Sequence, residues 1–395
     1  MSYLVNPFCK FRKITPFDTK IKKDIISISL FKMRGGGYKD FTTYLTSLKK
    51  INDSAQKYKN LIIRLFIDKN INDDEKIMKY LKNLNKMSIV LFECSDFFLD
   101  GFHLSTFGTM VRFFPMFNFK SNDAKRVIVM DADIRQDTLE VILELYDEII
   151  KYKINDVYLV YGGRFNHVNA KKITPIEHKG HTYILPYCIA SRVIGVKKIP
   201  TNMLTDFLEI LIKHINTANP PTKLYDYDIK KEDLPKRCEK NICYGVDEYY
   251  LNRVLFKLLL VNDYSFCYHY IFDMAKFYYY THPKIVDEFG MPKSEYIKLF
   301  NSLFKSVGLG GYTFEQIDKL IYQNRSTKST PFMKSFSKAL SKLLMDAYEK
   351  KDFRIFRPEQ IYDFLNGMHD EYFYVKMIKF INAKRDNIIL ESIEL

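Results

Sequence analysis

Arg126-Val127-Ile128-Val129-Met130-Asp131-Ala132-Asp133-Ile134 decides how this chain is read. Val127 to Met130 form an unbroken apolar run, the pattern of a strand covered on both faces in a parallel α/β sheet. The run stops at two carboxylates one residue apart, at the strand's carboxyl end, where open α/β sheets bind ligands. Hard divalent cations take oxygen ligands, and Mg²⁺ is commonly held by one or two carboxylates plus substrate phosphates. Asp131 and Asp133 are therefore candidate ligands for Mn²⁺ or Mg²⁺. The plainer alternative is a strand that ends where a helix begins, with Asp133 as the helix cap.

On both sides of this segment, strands alternate with helices. Residues 24–32 read as a first buried strand, followed by Arg34-Gly35-Gly36-Gly37 and a helix from about 38 to 51. A strand, a glycine-rich loop and a helix can bring backbone N–H groups to a phosphate, or can be a simple connection. Residues 61–68 and 88–93 give two more strands, with a helix over 73–85 between them. After the Asp pair come a helix over 139–150, strands over 157–161 and 182–189, and a helix over 204–215. This alternation predicts an α/β fold with a mostly parallel, Rossmann-like central sheet flanked by helices. Beyond about residue 270 only amphipathic helical patterns remain, over 291–305, 314–324, 330–350, 358–367 and 371–384. A catalytic domain over 1–268 and a helical C-terminal domain over 269–395, for acceptor or partner binding, are the expected organisation.

Upstream of the acidic strand, Ser105-Thr106-Phe107-Gly108-Thr109-Met110-Val111-Arg112-Phe113-Phe114-Pro115 reads as a helix carrying one Arg. A helix with Arg and aromatics, a turn, an apolar strand and then Asp-Ala-Asp-Ile resembles nucleotide-sugar glycosyltransferases of the GT-A fold. The likeness is strongest to the family that contains glycogenin and the bacterial galactosyltransferases. It spans roughly residues 20–260 and is densest from 106 to 134. It implies a metal on Asp131 and Asp133, and a nucleotide-sugar site, with UDP as the nucleotide, that takes in Phe31, Tyr38, Arg112 and Ala132. Tyr244-Gly245-Val246-Asp247-Glu248-Tyr249-Tyr250-Leu251-Asn252 resembles the family's Asp-Glu/Gln-x-x-Leu-Asn element, which implies an acceptor-side catalytic role for Asp247 and Glu248. Read on its own, the same segment is a helix start with Asp247 as N-cap. The family's late His motif ending in Lys-Pro-Trp has no counterpart here, for the chain contains no Trp.

Composition narrows the alternatives. The 395 residues are 47% hydrophobic and 15% aromatic, which excludes a disordered chain. A formal charge of +14 favours polyanions, but the lysines are scattered and no base-reading motif or zinc knuckle accompanies them, so nucleic acid is not an expected partner. The expected partners are a nucleotide-sugar donor and a glycan or protein acceptor. The N-terminus is no signal peptide and no apolar run reaches transmembrane length, so a cytoplasmic enzyme without a membrane anchor is expected. Richness in Lys, Ile, Asn and Tyr suits an AT-rich genome, such as that of a large DNA virus or a protist. Six cysteines without Cys-x-x-Cys spacing are expected to be reduced thiols. Two other functions compete. A sugar-phosphate nucleotidyltransferase would carry Thr-Arg in its glycine-rich loop, where this chain has Arg34-Gly35-Gly36-Gly37-Tyr38. A non-enzymatic basic virion or nucleic-acid-associated protein rests on charge alone.

Overall fold

The computed structural model describes residues 3–15, 22–34, 40–134, 136–152, 155–162, 176–178, 181–183, 190, 192–216, 238–239, 242–243, 245–271, 292–324 and isolated positions up to 350. Tyr38, Gly35 to Gly37, residues 184–189 of the strand expected over 182–189, and the helices expected over 358–367 and 371–384 lie outside the described residues. The chain divides into one compact unit of Met1–Val160 with Thr174–Cys267, and a second of Tyr161–Ile173 with Tyr268–Leu395.

The described strands are β1 (Lys10–Lys13), β2 (Lys23–Leu30), β3 (Leu61–Ile67), β4 (Met87–Glu93), β5 (Phe98–Leu99), β6 (Phe102–His103) and β7 (Ala124–Met130), then β8 (Val157–Gly162), β9 (Ile176–His178), β10 (His181–Tyr183), β11 (Arg192–Gly195), β12 (Cys238–Glu239), β13 (Ile242–Cys243) and β14 (Phe266–Ile271). Eight of them form one sheet in the order β1-β4-β3-β2-β7-β11-β8-β14. The central four, β4, β3, β2 and β7, are parallel. Their residues explain this: Ile25, Ile26, Ile28, Leu65, Phe66, Ile89, Val129 and Met130 are all fully buried, so both faces need covering. Helices Phe41–Ala55, Gln136–Tyr152 and Asn202–Ile215 flank them in sequence, as the alternation predicts. The fold is a mixed, mostly parallel α/β sheet.

Both flanks of the parallel core depart from the sequence reading. β11 lies antiparallel to β7, with Arg192 opposite Met130 and Ile194 opposite Ile128. By contrast β10, at the start of the strand expected over 182–189, pairs among the described residues with β9 in a separate two-stranded sheet. At the other edge β1, Lys-Phe-Arg-Lys, pairs antiparallel with β4, so that charged residues line an exposed edge. Lys10 lies opposite Glu93, and the register carries Cys9 to Cys94, where the two form a disulfide. The expectation of reduced thiols is corrected for this pair. No helix among the described residues is long and apolar enough to cross a membrane.

In the second unit, helix Lys293–Ser306 carries a ladder of Tyr296, Phe300 and Phe304 at helical spacing, with ring centroids 4.6 and 5.9 Å apart. It ends in a Schellman turn: Gly308, at φ +79°, donates to the Lys305 carbonyl at 3.2 Å and Leu309 to that of Phe304 at 2.8 Å. Helix Phe314–Asn324 follows, and Phe314 packs edge-on against Phe304.

Candidate active site

β2 and the residue just beyond its end touch the segment that carries Arg112. Ser27 donates from Oγ to the Arg112 carbonyl at 2.6 Å. Two places on, Ser29 is buried, and two further on the Phe31 ring lies so close to Gly108 that a Cβ there would meet ring carbons at 2.5 to 2.7 Å. Only glycine lets the two segments approach this closely. Phe107–Met116 is a 3₁₀-helix that includes Pro115, where the sequence suggested an ordinary helix stopping near that proline. Ten residues is long for such a helix. The Ser27 bond to its backbone, the Phe31–Gly108 contact and the missing N–H of Pro115 all act on this segment.

This segment carries Arg112 to the end of β7, where its side chain is nearly fully buried at 4% exposure. Nη1 pairs with Asp131 Oδ1 and also donates to the Met130 carbonyl at 3.3 Å. Nη2 pairs with Asp247 Oδ2 at 2.5 Å. Burial opposes the Arg112 charge, but attraction to Asp131 and Asp247 and the hydrogen bonds they accept more than offset it, so its pKa lies above the ordinary value. Three segments separated by as many as 135 residues thus meet at one ion cluster.

Asp247 is buried at 6% exposure, and its place in the helix settles one alternative. The N-cap position of helix Val246–Tyr249 belongs to Gly245, in the left-handed region at φ +84°, and no side chain caps the helix. Asp247 is the second helical residue, and its carboxylate turns to Arg112. The N-cap reading of Asp247 is therefore corrected. The helix continues through a π-helical turn, Tyr250–Leu255, into Phe256–Val261. Asn252 donates from Nδ2 to the Glu248 carbonyl at 2.8 Å, one turn back along this segment. Glu248 itself is half-buried beside Asp247.

Of the metal candidates, the Asp131 side chain is 38% exposed at the end of β7 and Asp133 is half-buried. Ala132 between them is buried. Among the described residues no third His, Cys, Asp or Glu joins them in a metal-binding group. The donor set still fits a hard cation that keeps its other positions for phosphate oxygens and water. Such a cation would share the Asp131 carboxylate with Arg112.

Sequence reasoning missed the wall beside Phe31. Asp68, fully buried at the end of β3, accepts from the Lys32 N–H at 3.2 Å and the Ile71 N–H at 2.9 Å. Burial pushes its carboxyl up, against those hydrogen bonds. The β5–β6 hairpin turns at Asp100 and Gly101, both left-handed, as Asp-Gly favours. Its tip reaches Arg34 through Asp100 at 3.0 Å, and Asn70 donates to the Gly101 carbonyl at 2.8 Å. The Asp-Gly pair between short apolar runs was the available signal. The structure thus brings Arg112, Asp131 and Asp247 together, with Ala132, Asp133 and Glu248 adjacent to them in sequence. Phe31 lies against the segment that carries Arg112.

No protein-family model and no curated protein matches the sequence. Among solved structures, the chain is similar to the crystal structure of S. aureus TarS, residues 1–349, in complex with UDP. The identity is 14%, the match covers 88% of this chain and 93% of that chain, and the TM-score is 0.30. At that score the likeness supports no statement about this chain's chemistry.

Proposed function

We propose that this chain is a metal-dependent glycosyltransferase of GT-A-like fold, which moves a sugar from a nucleotide sugar, with UDP as the nucleotide, to an acceptor hydroxyl. The observation that carries this reading is the meeting of Asp131, Arg112 and Asp247 at the carboxyl end of β7. Those residues come from the three segments whose sequence resembles the transferases, and they lie where α/β sheets bind ligands. Asp131 and Asp133 would hold Mn²⁺ or Mg²⁺. Once bound, such a cation supplies neutralisation of the charge that develops on the leaving diphosphate.

The remaining roles belong to side chains. Phe31, with one face against Gly108, is the aromatic offered to the nucleoside, and Tyr38 is assigned to the same edge by resemblance alone. Ala132 keeps the backbone between the two carboxylates open to the donor. In the transfer the acceptor oxygen bonds to the sugar's anomeric carbon, the bond to the diphosphate breaks, and the nucleoside diphosphate leaves with the electron pair. A carboxylate takes the hydroxyl proton. Glu248 is exposed enough to reach it, while Asp247 holds the neighbouring charge in place through Arg112. The test is a panel of nucleotide sugars assayed for Mn²⁺-dependent release of nucleoside diphosphate, with and without candidate acceptors. Turnover of one donor that EDTA abolishes is the expected result, and no turnover of any donor would reject the reading.

A further inference from the structure

Arg112 occupies an unusual place for a residue that resemblance assigns to the donor. Its side chain is 4% exposed and both Nη atoms are occupied by carboxylates. Its backbone carbonyl is pinned to β2 by Ser27, and Nη1 is pinned further by the Met130 carbonyl. A guanidinium so fixed cannot reach a substrate without releasing Asp131 or Asp247. We propose that Arg112 is a positioning residue that couples the two halves of the site, so that the charge on Asp247 controls how strongly Asp131 binds the divalent cation. This rests on the glycosyltransferase reading and adds to it a link between the donor side and the acceptor side.

The physical basis is one cation shared between two anions. Asp131, Asp133 and Asp247 carry three formal negative charges and Arg112 one positive, so a divalent ion brings the cluster to neutrality. While Asp247 holds Nη2, only Nη1 bears on Asp131. If Asp247 loses its charge, the whole Arg112 charge turns to Asp131, and a metal must compete with an undivided ion pair. Reciprocity follows: a cation on Asp131 strengthens the Arg112 hold on Asp247. Lysine cannot take the role, because a single ammonium lacks the fork that grips two carboxylates at once.

The experiment is a double-mutant cycle read as affinity, not activity. Mn²⁺ binding in the presence of UDP is measured by electron paramagnetic resonance on wild type, Asp247→Asn, Arg112→Met and the double variant. Asp247→Asn should weaken Mn²⁺ binding about fivefold to tenfold, although Asp247 is not a metal ligand. In the Arg112→Met background the same substitution should change affinity by less than about twofold, within the scatter of independent sites. Should Arg112→Met fail to fold, Arg112→Lys with and without Asp247→Asn replaces it, and there too the Asp247 effect should vanish. Wild-type affinity in Asp247→Asn overturns the coupling, and so does an equal loss in both backgrounds, which is plain charge repulsion without a mediator. A wild-type chain that binds no Mn²⁺ with UDP overturns the transferase reading and the coupling together, an outcome distinct from either of the others.

Discussion

Gly108→Ala probes the contact that seats the Arg112 segment against β2. A Cβ at residue 108 would stand 2.5 Å from Phe31 Cδ1, 2.6 Å from Cγ and 2.7 Å from Cε1. These are ring atoms, not the end of a flexible chain, so either the ring or the helix must move. Overpacking of this kind costs about 1–3 kcal/mol. Replacing glycine inside a helix returns about 0.5–1 kcal/mol through lower backbone entropy. The net expectation is a loss of about 1 kcal/mol, or about 2–4 °C in Tm for a unit of this size. Phe31→Ala removes the obstacle, so in that background Gly108→Ala should become neutral or stabilising. The cycle should therefore show a coupling of about 1–3 kcal/mol, read by calorimetric melting of the four proteins. UDP affinity should fall in Gly108→Ala, because the displaced ring is the one proposed to face the nucleoside. Additive melting shifts, or a Gly108→Ala protein more stable than wild type, would refute the packing of Phe31 on Gly108.

Three further outcomes are expected. The Cys9–Cys94 bond closes a sequence separation of 85 residues, for which chain entropy sets a ceiling of about 4.5 kcal/mol; Cys9→Ser with Cys94→Ser should lower the urea midpoint markedly, and an unchanged midpoint with or without reductant would deny the link. Lys198 is held down to about 7, chiefly by burial and then by the Lys22 charge, so the folded state binds fewer protons than the unfolded one above that pH. Stability should accordingly rise with pH from about 7 towards the ordinary lysine value; Lys198→Met should flatten the rise, and a slope that survives the substitution would exclude Lys198 as its source. Glu248→Gln should leave UDP binding and Tm near wild type while cutting transfer more than about tenfold, on the order of 1.4 kcal/mol of transition-state stabilisation; wild-type transfer would move the acceptor chemistry elsewhere.

The parallel core was legible because it is written in unbroken apolar runs. Residues 24–32, 61–68 and 88–93 fall within a residue or two of β2, β3 and β4, and the Val127 to Met130 run ends where β7 ends. Elements defined by a partner were not legible. β1 is four residues of which three are basic, and β11 is four residues long, so neither shows a period; each is a strand because of β4 or β7 beside it. The disulfide follows from the β1–β4 register, which no spacing between Cys9 and Cys94 discloses. The carboxylate pair at the site was visible as chemistry at a strand end. The turn of Arg112 towards Asp247 was not, because it depends on where a helix 135 residues downstream comes to lie. Asp247 itself was ambiguous until Gly245 was seen to occupy the cap.

The most direct test of a metal–diphosphate site on Asp131 and Asp133 is calorimetry of UDP binding with and without Mn²⁺, on wild type and on Asp133→Ala. Asp133 is half-buried, and neither of the two Arg112 ion pairs to Asp131 and Asp247 runs through it, so its loss should leave Tm within a few degrees, about the size of a surface change. The expected result is UDP binding that requires Mn²⁺ in wild type and is abolished in a folded Asp133→Ala protein. Undiminished, Mn²⁺-dependent UDP affinity in that variant would contradict the assignment of the site.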